Sequence, residues 1–382
     1  MLKSPTKRDF QKVFDDLQSA IDVDASDGRS VPVNMNFVDK GYLTKDTGFT
    51  IFGDSEGQLT HSLFYYKKKN GNTYTIRAKG TKLQSYNFND RTWSDIPACP
   101  TFTEGAEFGY ITYNDDLYFG NAVESLYKFD GITFTAYASA PKGNLLEIFE
   151  DRLFVSGVTA EPLTAYYSNV GIPTTFSVAD LIKPLGTDSI TNLKNYYGSL
   201  LIFKEESIWK VTFNFDQVSS LYVPKLDSQS GTYGACSKKA VQWVENDLWF
   251  FTGLELRSIG ITDNITGSLG INKTVLSENI KETLKLIDNA NKTKIIVFYD
   301  NRRFYLGVPI TDDEVDTVFV CHTLFKNSWT KYTGRSKSTV NSFMVIDDIV
   351  YTSTTQVPYG IIKWTVETED SENLNNALST ES

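Results

Sequence analysis

The chain has 382 residues, 41% hydrophobic and 14% aromatic, with a formal net charge of −10. That length suits one closed repeat domain better than two separate cores. The negative charge repels phosphate backbones and excludes tight nucleic-acid binding, and three scattered cysteines, Cys99, Cys236 and Cys321, exclude a disulfide framework.

The 21 Tyr and 25 Phe favour pleated, half-buried surfaces on which rings pack across strands, an all-β composition. The cysteines read as small buried apolar residues. The N-terminus, MLKSPTKRDF, lacks the apolar stretch of a signal peptide, and no run approaches a membrane span, so the expectation is a soluble protein without a membrane anchor, made in the cytoplasm.

In chain order, Phe10, Val13, Phe14, Leu17 and Ile21 form one apolar helical stripe after a Ser4-Pro5 start. Residues 1–34 are thus expected to be a helical arm and linker, packing on the chain's own body or on a neighbouring subunit. Asp22 to Gly28 has the look of a calcium loop, but its glycine comes one place late and position twelve is Val33, so a solvated linker is expected. Residues 35–53 read as strand segments around turns. Gly53-Asp54-Ser55-Glu56-Gly57 matches a nucleophile elbow, which needs a helix after the turn; the following QLTHSLFYY alternates like a strand.

From there a turn bearing Asp, Asn or Gly, followed by an apolar strand, recurs along the chain. Its copies are anchored at Tyr74, Leu117, Leu153, Leu200, Leu248, Phe304 and Ile349. Such turns tolerate the left-handed backbone of tight hairpins. The anchors are spaced 43, 36, 47, 48, 56 and 45 residues apart, about the length of a propeller blade. A second pattern, aromatic-hydroxyl-any-apolar, occurs at Trp93 to Ile96, Phe134 to Tyr137 and Trp329 to Tyr332, with a partial copy at Phe176-Ser177. Two hairpins per repeat make a four-stranded blade. The expected fold is therefore a single β-propeller of about seven four-stranded blades over residues 35–366. A two-sheet sandwich, the alternative, is hard to reconcile with seven anchors. The last repeat is short of four strands, so one end of the chain is expected to complete the blade of the other. Residues 367–382 are a polar, acidic tail.

Little in the chain carries chemistry. The sequon Asn264-Ile265-Thr266 matters only on a secretory route. Asp312, Asp313, Glu314 and Asp316 read as a solvated loop, with a divalent cation as the alternative. Cys321 and His322 are neighbours on a strand and point to opposite faces, so they cannot share one ion. The expectation is no catalytic, cofactor or metal site and no enzyme activity. A glycosidase would need carboxylates converging on the ring's mouth, which turn aspartates in one sequence cannot display.

WD dipeptides and GG doublets are absent. The stretch Gly41-Tyr42-Leu43-Thr44-Lys45-Asp46-Thr47-Gly48 resembles the G-x-L-x-K-x-x-G segment of the β-propeller tail-hub and tail-nozzle proteins of tailed bacteriophages, though that family often has Arg where Asp46 stands. GTYGACSKKAVQWVENDLWFFTG (231–253) and LLIFKEESIWKV (200–211) are similar in style to the same family. The resemblance implies a structural virion protein in the tail or neck, a ring of copies, hexameric by resemblance, that binds portal, adaptor or other tail proteins. Genomic DNA would leave through the channel that the copies surround, and an acidic lining would let it slide. The alternative expectation is a free-standing carbohydrate- or peptide-binding propeller. Phe10, Val13, Phe14, Leu17 and Ile21 are the candidate interaction residues.

Overall fold

All seven hairpin anchors fall in the second strand of a four-stranded antiparallel sheet. The computed structural model describes residues 35–37, 43–45, 48–53, 58–217, 221–263, 268–272, 274–300, 302–323, 329–333, 336–355 and 360–364. The arm with Phe10, Val13, Phe14, Leu17 and Ile21, the calcium-like loop, Asp54 to Gly57, the sequon and the tail lie outside the described residues, as does part of the Gly41 to Gly48 stretch.

After a small hairpin of β1 (Met35–Phe37) and β2 (Leu43–Lys45), and the single strand β3 (Phe49–Ile51), the sheets follow in order. Blade 1 is β4 (Thr60–Lys67), β5 (Thr73–Lys79), β6 (Lys82–Asn87) and β7 (Thr92–Asp95). Blade 2 is β8 (Gly109–Tyr113), β9 (Asp116–Gly120), β10 (Leu126–Phe129) and β11 (Phe134–Tyr137). Blade 3 is β12 (Leu145–Phe149), β13 (Arg152–Ser156), β14 (Ala165–Asn169) and β15 (Ile172–Ile182). Blade 4 is β16 (Ile190–Tyr196), β17 (Ser199–Lys204), β18 (Ile208–Asp216) and β19 (Leu221–Ser230). Blade 5 is β20 (Val241–Val244), β21 (Asp247–Phe251), β22 (Leu256–Asp263) and β23 (Ser268–Ile271). Blade 6 is β24 (Ile296–Asp300), β25 (Arg303–Val308), β26 (Thr317–His322) and β27 (Trp329–Thr333). Blade 7 takes β28 (Val340–Ile346), β29 (Ile349–Thr354) and β30 (Ile361–Trp364) from the C-terminal end and β3 from the N-terminal end.

That last pairing closes the ring, as the short final repeat predicts. Phe49 stands opposite Trp364 and Ile51 opposite Ile362. It supplies the fourth strand of blade 7 and ties the two ends of the repeat region together. The protein is a seven-bladed all-β propeller, and the sandwich alternative is set aside.

Turn chemistry explains the hairpins between first and second strands. In four of them two residues turn the chain with φ positive at both: Asn114 and Asp115, Glu150 and Asp151, Tyr197 and Gly198, and Asp347 and Asp348. Both central residues lie in the left-handed region that a type I′ turn requires, and this turn matches the twist of the strands. Second strands then run deep in the ring, β17 being buried along its whole length. Between blades the core is continuous: Phe154, Leu200, Ile202 and Phe213, for example, pack as one cluster across blades 3 and 4.

The longest anchor spacing, Leu248 to Phe304, contains an insertion between blades 5 and 6. It has 3₁₀ turns at Glu278–Ile280 and Asn289–Lys294 around a short helix α1 (Lys281–Leu284). Leu276, Ile280, Leu284 and Ile287 from it are buried against Trp249, Phe251 and Trp329. The insertion is a wedge of core, and sequence reasoning gave it no structure.

Candidate functional site

First strands of neighbouring blades approach one another around the axis, β8 with β12, β12 with β16, β20 with β24, β24 with β28 and β28 with β4. The approach is close enough that a Cβ on Gly109 would lie 1.9 Å from the Asn144 carbonyl oxygen, so no larger residue fits without backbone movement. At the end where these strands begin, the side chains facing the axis are polar.

They form a hydrogen-bonded belt that touches every blade. Phe108 N donates to Ser62 Oγ (3.0 Å), Asn144 Nδ2 to the Glu107 carbonyl (3.4 Å) and Asn192 Nδ2 to the Lys238 carbonyl (2.7 Å). Ser237 Oγ donates to the Ile295 carbonyl (2.6 Å), and Asn341 Nδ2 to the Thr60 carbonyl (3.0 Å). Two lysines ahead of β20 cross between blades that are not neighbours. Lys238 Nζ reaches Asn144 Oδ1 at 2.8 Å, and Lys239 Nζ reaches both Glu107 Oε1 and the Asn341 carbonyl at 2.8 Å. Lys239 therefore runs as a chord from blade 5 to blades 2 and 7 and bars the axial opening.

Burial alone would raise the Glu107 carboxyl, but the ammonium of Lys239, with Lys238 and Lys294 nearby, holds it below the usual carboxylate range. Burial lowers Lys238, and Glu107 offsets part of that effect. Burial also lowers His61, against the opposing pull of Glu107 and Glu104, so its imidazole is neutral at pH 7. The Glu107 side chain keeps 45% of its surface open and that of Lys239 26%, so the pair sits in a wet mouth. Such a belt orients and locks the blades.

The opposite end carries a different surface. β18 and β19 form the longest hairpin of the ring, paired from Ile208 and Ser230 out to Asp216 and Leu221. One face of it begins in the core: Val211 is buried, and Phe213 packs on Tyr167 at 5.5 Å and beneath the Arg152 guanidinium at 5.1 Å. With a period of two the same face continues to Phe215 and its cross-strand partner Tyr222, which meet edge to face at 5.4 Å and are 54% and 63% exposed. On blade 3, Val170 and Ile172 flank the β14–β15 turn and are also exposed.

The residues singled out from sequence have identifiable roles. Asp316 accepts from the backbone N–H groups of Ile310 (3.0 Å) and Thr311 (2.5 Å), Asp313 accepts from Asn291 Nδ2 (3.0 Å), and Glu314 pairs with Lys294 (2.6 Å). The acidic loop thus pins itself and the insertion instead of converging on one point. Among the described residues no group of three His, Cys, Asp or Glu side chains is placed to share a metal ion. Cys321 and His322 are both buried in β26. Cys236 is likewise buried, whereas Cys99 is half-buried, with Sγ accepting from Leu83 N at 3.3 Å. Sequence reasoning missed the belt. Its signal was a polar residue eight to ten places before an anchor: Glu107, Asn144, Asn192, Lys239 and Asn341 stand that far ahead of Leu117, Leu153, Leu200, Leu248 and Ile349.

No protein-family model matches the chain, and no curated protein is similar to it. Solved structures share its fold. The extracellular domain of a B. thetaiotaomicron protein described as a one-component system is 9% identical with a TM-score of 0.55, over 85% of this chain and 40% of that one. A second structure of the same extracellular domain, described there as part of a hybrid two-component system, gives 10% identity and a TM-score of 0.53, over 84% and 40%. A chain of the mitotic checkpoint complex gives 11% identity and a TM-score of 0.50, over 85% and 95%. This chain thus spans less than half the length of that bacterial domain in either structure. At these identities the likeness is one of fold alone.

Proposed function

We propose that this chain is a structural virion protein of a tailed bacteriophage, a ring-forming tail hub, nozzle or neck component that binds tail proteins and has no catalytic role. Copies surround the passage through which genomic DNA leaves, and they contact portal, adaptor or other tail proteins. The observation that carries this reading is Lys239 bound to Glu107 and Asn341 across the axis, so that the inside of each propeller serves its own cohesion. DNA then runs between copies and not through one. The family-like stretches agree with it: 231–253 contains the residues that build the belt, Ser237 to Lys239, and 200–211 leads into the projecting hairpin.

The net charge of −10 suits a passage wall that DNA slides along, since a basic lining would hold the polyanion by counterion release. The test is the mass of the full chain in solution, alone and with portal-side partners, with any ring imaged by electron microscopy. Rings of six or twelve support the reading. A persistent 43 kDa monomer that binds glycans supports the free-standing binder instead.

A further inference from the structure

We propose that the apolar face of the β18–β19 hairpin, Phe215 and Tyr222 with Val170 and Ile172 of blade 3, is the seat for the stripe Phe10, Val13, Phe14, Leu17 and Ile21 of a neighbouring copy. The inference rests on the ring reading and adds to it the joint between copies.

Two large aromatics that continue a core face into solvent are an unfinished packing surface. β14 and β18 are the third strands of adjacent blades and run the same way. From the Tyr167–Phe213 contact, two residues further along each strand bring Asn169 and Phe215 to one height, so the Val170 turn stands level with the exposed pair. The hairpin and the turn then present four exposed apolar side chains at one end of adjacent blades. The chain itself supplies a complement, because 34 residues precede Met35 and five of them make one apolar stripe. A segment of that length is marginal as an isolated helix and gains its order from burying such a stripe.

Charge points to the same pairing. Lys3, Lys7, Arg8 and Lys12 give the start of the segment a basic end, and the exposed apolar residues lie at the end of the ring where Glu150 and Asp151 turn the chain between β12 and β13. The described chain begins with β1 against β26 and β27, at the outside of blade 6 and two blades round from the hairpin. Residues 22–34 span up to about 40 Å when extended, enough to cross to an adjoining subunit.

The experiment mixes two full-length variants, Val13→Cys and Tyr222→Cys, each in a Cys99→Ser background, and oxidises the mixture. A disulfide-linked dimer containing one chain of each kind is expected. In parallel, Phe215→Ser with Tyr222→Ser is expected to raise the dissociation constant of the ring at least about 100-fold, the loss of two buried aromatics, while the β-type circular dichroism stays unchanged. Rings that persist without the mixed dimer overturn this joint and leave the ring reading intact. In a third variant that carries both Val13→Cys and Tyr222→Cys, cross-linking only within single chains also overturns it, in favour of an arm that packs on its own propeller. Absence of any ring overturns both.

Discussion

Lys239 on blade 5 holds Glu107 on blade 2 at 2.8 Å across the mouth of the propeller, although two blades stand between them in the ring. The contact is possible because both residues precede first strands, which all converge on the axis at that end. The same ammonium reaches the Asn341 carbonyl of blade 7, so one side chain ties three blades.

Replacing Lys239 with Met removes the ion pair to Glu107 in this solvent-screened mouth and is expected to cost about 0.5–1 kcal/mol in chemical denaturation. Glu107→Gln in the same chain should recover part of that loss, because the two substitutions share one interaction. The pH dependence has a definite sign. The folded carboxyl is held low, so its contribution is present above its unfolded pKa, about 4.3, and disappears as the pH falls through the lower folded value. In Lys239→Met that acid-side loss should shrink; an unchanged acid profile contradicts the pairing.

Asp300 behaves in the opposite way. Burial pushes its carboxyl up to about 7, only partly relieved by Arg303 and by the Tyr305 hydroxyl at 3.2 Å, and Oδ1 has no hydrogen-bond partner. A folded pKa above the unfolded one means that stability is greatest at or below about pH 4 from this group and is lost as the pH rises to about 7. The full loss is on the order of 4 kcal/mol. Asp300→Asn removes the titration, so its stability relative to wild type should rise between pH 5 and pH 8. Parallel pH profiles for the two proteins contradict this assignment.

Ring closure depends on one short strand from the N-terminal end. Deleting residues 1–53 removes β3 and leaves β30 as an open edge, so that variant should melt at a lower temperature than one lacking only residues 1–34 and should aggregate in size-exclusion chromatography. Equal melting of the two truncations contradicts closure by β3.

The insertion between blades 5 and 6 is core and not decoration. Leu284 is fully buried there, and Trp329 Nε1 donates to the Leu276 carbonyl at 3.0 Å. Leu284→Ala should therefore cost about 2–5 kcal/mol in denaturant titrations. A change under about 0.5 kcal/mol, as expected of a surface site, contradicts its role.

The blades were legible because each repeats one local rule. A left-handed two-residue turn needs Asp, Asn or Gly in most copies, and an apolar second strand follows it at once, so Leu117, Leu153, Leu200 and Leu248 mark strand after strand. The second pattern marked fourth strands, at Trp93, Phe134, Phe176 and Trp329. Phe49-Thr50-Ile51-Phe52 obeys that pattern too, and it begins the strand that closes blade 7; it went unread because it stands some 300 residues from its sheet. The insertion was hidden because a four-residue helix is too short to show a 3.6-residue period. The belt escaped notice for a different reason. Glu107, Asn144, Asn192, Lys239 and Asn341 are ordinary polar residues, and only convergence of the first strands brings them together.

The most direct test is cryo-electron microscopy of the full-length protein assembled with its portal-side partner. The expected map is a closed ring of copies around a lumen, with Lys239 against Glu107 barring the axis of every propeller. A map in which the copies stay separate, or in which DNA threads the axis of a single propeller, contradicts the account.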